Sequence, residues 1–463
     1  MHISCGDVRG VRREGSVAFL GIPFAQPPVG ALQFAAPQPR RPWAGVFDAT
    51  RYGPTAQVEQ KAGETIPEPS TPGDDILNLN VFTPDPDSAG LPVMVWIHGG
   101  SYNAGCQNSS WYDGATFNAD GIVTVSLGYR LGAGAWLHLP DAPDNRGALD
   151  WVAGLQWVRD NIAAFGGDPG RVTVVGQSAG GGAVLHLLTM PDAEGLFVRA
   201  MSISGAVDDE SPEHAEIIAR RLSEVAGVAP TAAAFARFDR QQLHALAQKI
   251  VDAGPLAHLT LLPFADGTVI PQPVVPAFRA GAAPVPLLIG TTSGEYNDIA
   301  AVIPAMGVEA ATAVLISNGV SPEAAARIAA EYEGREPEAI AQAVTDIAFR
   351  QLAYDVALGH AATAPTWAYE FDWPSRSAGR PGLVFHCLDV PFWWNRLDGE
   401  RVVDMTGPNA PQALATAMHN SMVSFIKGDD PGWAPSTPTY PNAVRWQDPL
   451  TSKPGLADVI DRH

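Results

Sequence analysis

A serine set between glycines at two-residue spacing, Gly176-Gln177-Ser178-Ala179-Gly180, is the segment of this sequence best suited to do chemistry. Residues 171–175 before it read as a buried strand, and a helical pattern begins at Ala179. A serine at such a strand-to-helix turn is held in a strained backbone conformation with its hydroxyl lifted above the sheet, and flanking glycines leave room for the turn. Ser178 is then placed to attack a carbonyl carbon. Attack drives negative charge onto the carbonyl oxygen, and one missing donor to that oxygen costs about 10²–10³ in rate, so fixed N–H groups are required nearby. The loop His98-Gly99-Gly100-Ser101 follows the apolar run 92–97 and is small enough for its backbone to approach a substrate closely. The expected donors are the N–H groups of Gly100, Ser101 and Ala179.

A serine hydroxyl is a poor nucleophile until a histidine takes its proton, and an acid must orient that histidine. Where the serine sits on a turn of this kind, the chain order is serine, acid, histidine. The strand-like run 285–289 leads into Gly290-Thr291-Thr292-Ser293-Gly294-Glu295, which puts Glu295 in a loop just past a strand, with Asp298 as its rival. Of eleven histidines, only His360, His386, His419 and His463 follow. His360 and His419 fall in helical patterns and His463 is the last residue, which leaves His386, in a loop after 383–385, as the base.

These residues need a scaffold of parallel strands. The first fifty residues alternate short β-prone runs with turn residues, as an antiparallel meander would, and 64–75 reads as an exposed loop before a strand at 77–82. From Leu91 the pattern turns to strand, loop and helix: strands at 92–97, 121–127 and 171–175, helices at 150–165 and from Ala179. Such alternation implies a mostly parallel sheet flanked by helices. Further strands are expected at 201–204, 285–289 and 366–371, with helical insertions at about 206–284 and 297–362 forming a cap on one domain spanning 1–463. A helix covers 412–426, and the Pro-rich tail after Asp429 reads as surface coil.

These segments together give the chain a resemblance, nearly end to end, to the type B carboxylesterases, the family of bacterial para-nitrobenzyl esterases and animal cholinesterases. The anchors are 19–25 (FLGIPFA) with Pro27-Pro28-Val29-Gly30, then Leu77-Asn78-Leu79-Asn80-Val81, the His98-Gly99-Gly100 loop, 145–150, and Phe165-Gly166-Gly167-Asp168-Pro169 leading to Ser178. The resemblance implies an α/β-hydrolase fold, with Ser178 as nucleophile, Glu295 as acid and His386 as base. It further implies that Ser204, in Ile203-Ser204-Gly205, matches a buried serine that supports the catalytic network, a position where turn capping is the plainer role. Arg130 and Asp168 match a structural ion pair. The chain departs from the family at Gln177, where a glutamate is usual, and at Gly294 and Tyr296 on either side of Glu295. Ile76 stands where secreted members carry a cysteine.

The implied reaction is hydrolysis of short or medium acyl or aryl esters through an acyl-enzyme, with no metal or organic cofactor. Carbamate or amide hydrolysis, or a specialised natural-product ester, is the alternative within enzymes, and a non-catalytic binding protein on the same fold is the alternative outside them. Tyr102, Trp111, Trp136, Phe392, Trp393 and Trp394 lie near these motifs, as pocket walls or as core. With 29 basic against 49 acidic residues, the net charge of −20 opposes binding to a nucleic-acid backbone or an anionic membrane. No apolar run approaches the roughly 20 residues of a membrane span, and no signal peptide is read at the N-terminus. Three cysteines without CxxC spacing suit neither a disulfide framework nor a metal site, so a cytoplasmic setting is expected.

Overall fold

A computed structural model describes residues 1–59, 66–208, 211–252, 261–317 and 319–448. Thirteen strands occur among them: β1 (His2–Ile3), β2 (Gly6–Arg9), β3 (Val11–Arg13), β4 (Ser16–Pro23), β5 (Val46–Asp48), β6 (Asn78–Thr83), β7 (Leu91–Ile97), β8 (Val123–Leu127), β9 (Gly167–Gln177), β10 (Arg199–Ile203), β11 (Leu287–Thr292), β12 (Thr366–Phe371) and β13 (Ala443–Trp446). Ten of them form one sheet in the order β13-β12-β11-β10-β9-β7-β8-β6-β4-β3. From β8 to β13 every pairing is parallel, while β3, β4, β6 and β8 pair antiparallel. This is the α/β-hydrolase architecture, with its N-terminal antiparallel strands and helix-covered parallel core.

Side-chain alternation explains why the sheet is covered on both faces. In β7, Val93, Val95 and Ile97 join one apolar core, and Met94 and Trp96 join another. β11 repeats the division, with Leu287 and Ile289 on one side and Leu288 on the other. A strand buried on both faces must be apolar at consecutive positions, which is the continuous pattern these runs show. The first core is covered by the helices Arg146–Asn161 and Ala179–Leu187, the second by Val390–Trp393 and Gln412–Lys427. The helices Val308–Ser317, Pro322–Glu331 and Glu336–Thr345 close on a small core of their own.

Several expectations need correction. β2 pairs with β5 in parallel, in a small separate sheet with β1, so the first fifty residues are not a pure meander. The loop expected at 64–75, whose first two residues lie outside the described ones, is not simply exposed: Ile66 and Glu68 are buried, and Glu68 accepts a hydrogen bond from the Tyr112 hydroxyl at 3.0 Å. The tail after Asp429 contains β13, which extends the sheet beside β12; its residues from 449 on lie outside the described ones. Arg130 pairs with Asp150, not Asp168, through two short contacts of 2.7 and 2.8 Å. The parallel register explains this, because Arg130 follows the C-terminal end of β8 whereas Asp168 begins β9, at the opposite end of the sheet. Asp168 instead accepts from the Gly170 N–H.

Candidate active site

The sequence-derived site residues gather where five neighbouring parallel strands end. The 98–101 loop follows β7, Ser178 follows β9, Ser204 follows β10, Glu295 follows β11 and His386 lies beyond β12. The C-terminal edge of such a sheet is where open α/β folds bind ligands.

Ser178 caps the helix Ala179–Leu187 with φ 58° and ψ −125°, a conformation that costs a non-glycine residue on the order of 1–3 kcal/mol. The turn is held by backbone bonds: the Ser178 N–H donates to Ile203 O at 2.9 Å, and Ser178 O accepts from the N–H groups of Gly182 and Ala206. Sterics hold it as well. A methyl group on Gly180 would overlap Ile97 O, and one on Gly99 would lie 2.8 Å from Gln177 O and 3.0 Å from Ser178 Cβ, so the loop and the turn fit only as glycine contacts. Gly100 and Ser101 both have positive φ, 106° and 53°. Among the described residues, the N–H groups of Gly100, Ser101 and Ala179 meet no protein acceptor and remain available to an anionic oxygen.

Glu295 is fully buried, and each of its oxygens has a defined task. Oε1 accepts from Ser204 Oγ at 2.6 Å and from the Thr292 N–H at 2.7 Å; Oε2 accepts from His386 Nδ1 in a short bond. The His386 N–H also donates to Glu295 O at 2.9 Å, tying the two loops together at the backbone. Burial opposes charge on His386, but Cys387 and Glu295 beside it outweigh burial and hold the imidazolium pKa well above the usual histidine range; of the two, we attribute the rise to Glu295, whose carboxylate bonds the ring directly. Asp298 turns away, to a salt bridge with Arg380 at 3.2 Å.

Three further neighbours surround the base: Gln177, singled out in the sequence, and Phe349 and Asp389, which carried no recognisable signal there. Gln177 Nε2 lies 3.1 Å from His386 Nε2 and 3.2 Å from Cys387 Sγ. Phe349 packs its ring 5.2 Å from the His386 ring and 5.4 Å from Tyr296. It sits in a π-helical turn, Asp346–Arg350, pinned by buried ion pairs of Arg350 with Asp346 and Glu370. π-turns of this sort recur at functional sites. Asp389, with one oxygen bonded to Tyr369 and Trp393 and the other without a partner, is pushed up to about 7 by burial and then by Glu295. The six aromatics noted in the sequence are buried in the two cores: Tyr102 packs edge to face with Trp136, Trp393 with Tyr369 and Trp394 with Trp96. Among the described residues no cluster of side chains suited to a metal ion occurs, and no helix is long and apolar enough to cross a membrane.

The family model described as "Carboxylesterase family" matches residues 1–456. The chain is 34% identical to the para-nitrobenzyl esterase of Bacillus subtilis, over 95% of this chain and 92% of that one. It is 33% identical to a phenmedipham hydrolase of Pseudarthrobacter oxydans, over 93% and 90%. A solved PNB esterase structure superposes with a TM-score of 0.87 at 31% identity, covering 100% of this chain and 98% of that one. Sharing sequence over its length and fold over all its strands with these enzymes, the chain belongs to the carboxylesterase family, the carboxylic ester hydrolases of the α/β-hydrolase fold.

Proposed function

We propose that Ser178 is the nucleophile, His386 the general base and Glu295 the acid that orients it, with the N–H groups of Gly100, Ser101 and Ala179 as the oxyanion hole. The observation that carries this reading is the Glu295–His386 pair, closed by a hydrogen bond at Nδ1, with its Nε2 edge 3.1 Å from the side chain of Gln177, the residue next to Ser178. Ser178 Oγ attacks the ester carbonyl carbon while its proton passes to Nε2, and the N–H groups stabilise the oxyanion. Collapse expels the alcohol, which takes that proton and leaves an acyl group on Oγ. Water, losing a proton to Nε2, attacks the acyl-enzyme, and the second collapse returns Oγ–H and releases the acid. Ser204 supports the acid from its far oxygen, a positioning role rather than turn capping alone. This chemistry calls on no cofactor or metal.

The substrates are short or medium acyl or aryl esters. A second reading, carbamate or amide hydrolysis, draws on the neutral Gln177 beside the base and on the relative named as a phenmedipham hydrolase. Comparing p-nitrophenyl butyrate with its anilide separates the two. Residues 206–284 and 297–362 serve as cap insertions on a single domain, and the acidic chain works without nucleic acid. Its three buried cysteines, none in a disulfide, suit a cytoplasmic setting. A fluorophosphonate that labels Ser178, read by peptide mass, supports the scheme; labelling of a different serine, or of none, overturns it in favour of another nucleophile or of a non-catalytic protein.

A further inference from the structure

In the neutral ring that acts as base, with Nδ1 donating to Glu295, Nε2 of His386 carries one lone pair, and the side-chain amide nitrogen of Gln177 stands 3.1 Å from it. Among the described residues no hydrogen bond links Ser178 Oγ to His386. Gln177 is 1% exposed, and as the last residue of β9 its main chain is paired in register with Ile203, so its side chain has little freedom beyond its terminal torsion. The same amide nitrogen donates to Cys387 Sγ at 3.2 Å, which orients its two N–H bonds toward the ring and the thiol.

We propose that Gln177 is a positioning residue for the base: it holds the Nε2 edge of His386 in the resting enzyme and serves both protonation states that the reaction visits. An amide offers a donor and an acceptor on one rotating plane. Its N–H donates to the neutral imidazole, and after a half-turn its Oε1 accepts from the imidazolium formed once Ser178 has given up its proton. A glutamate in the same place would serve the imidazolium alone. Because the lone pair accepts from one donor at a time, Ser178 engages the base by displacing Gln177, a step that arrival of the ester at the oxyanion loop can drive. This inference rests on the assignment of His386 as base. The charged and titratable groups around the ring are Glu295 on the loop after β11, Tyr296 beside it, and Cys387 and Asp389 on its own segment.

Two variants test it, each read as kcat, KM and the pH profile of kcat/KM with an uncharged ester from pH 5 to 9. Gln177→Met keeps the volume and removes the hydrogen bonds; kcat is expected to fall about tenfold with KM little changed, the worth of one orienting hydrogen bond. Gln177→Glu places a carboxylate against the ring and is expected to move the acidic limb upward by about one to three pH units. A Gln177→Met enzyme with wild-type kcat overturns the proposal whatever the glutamate variant does. A limb moved to lower pH in Gln177→Glu also overturns it. Fluorophosphonate labelling of both variants separates this from failure of the underlying scheme, since an adduct on Ser178 keeps the nucleophile assignment and its absence in the wild-type enzyme removes it.

Discussion

The two sides of the site are held by different forces. On the nucleophile side, Ser178 and the 98–101 loop are fixed by backbone: a strained φ, three main-chain hydrogen bonds and glycines that admit no side chain. On the base side, Glu295 and His386 sit on loops and are fixed mainly by side chains, Ser204, Gln177, Phe349 and a buried ion network behind the π-turn, with the Thr292 N–H and one main-chain bond between the loops added. Backbone fixing leaves little to tune without breaking the turn. Side-chain fixing allows single substitutions to adjust the base.

The contrast can be broken from either side. Ser178→Ala should remove about 10⁴–10⁶ of kcat while leaving thermal unfolding near wild type, because the hydroxyl supplies the bond-forming atom and little packing; a variant retaining a tenth of the activity would end the assignment. Glu295→Gln should cost about 10³–10⁴ in kcat, because an amide favours the wrong imidazole tautomer, while Asp298→Asn, tied to Arg380, should stay within a few-fold. The reverse ranking would make Asp298 the acid.

Acid should also distinguish the sides. His98 and His186, both on the nucleophile side, are fully buried and held near 4 by desolvation. A histidine whose folded pKa is depressed takes up its proton more readily when unfolded, so its contribution to stability is intact above about pH 6.5 and is lost as the pH falls toward 4, by on the order of 3 kcal/mol for each. Urea unfolding at pH 7 and pH 4.5 measures this, and His186→Met should lose less stability between the two than wild type. His386, whose folded pKa is raised, has the opposite sign: its contribution to stability is fully present below about pH 6.5 and is lost as the pH rises through its folded pKa. A more modest effect is expected from Ser204→Ala. It removes one of two donors to Glu295 Oε1, so kcat should fall about tenfold with the profile otherwise intact; no change would reduce Ser204 to a turn residue.

The same contrast governs what could be read from the sequence. Ser178 and the 98–101 loop are local: a strand, small residues at fixed spacing and a helix lie within a few positions of one another, so the backbone requirement is written in adjacent letters. Glu295 and His386 were reached by chain order and elimination, which places them without saying what touches them. Gln177 against Nε2, 209 residues away in the chain, and Phe349 in its π-turn depend on how loops from distant strands converge, and no periodicity encodes that. The Arg130 pairing failed for a related reason: which carboxylate it meets depends on which end of the sheet each residue occupies. β13 carries no clear signal because three half-buried residues and a buried Trp446 in a Pro-rich stretch take strand geometry only by adding to β12.

The strand order has a consequence in time. A ribosome adds about 5–20 residues per second, and domains begin to organise as they emerge. The turn carrying Ser178 therefore leaves the ribosome roughly 10–40 s before His386 does, and β12 and β13, which carry the anchors of the π-turn, come later than the nucleophile by a similar or longer interval. For that interval the nascent chain holds Ser178 without His386, and its uncovered sheet edge moves from β9 to β10 and β11 until the last strands arrive to close it. Under the proposed roles, catalytic competence is thus a late event in the life of this chain, since it waits for the segment that carries His386.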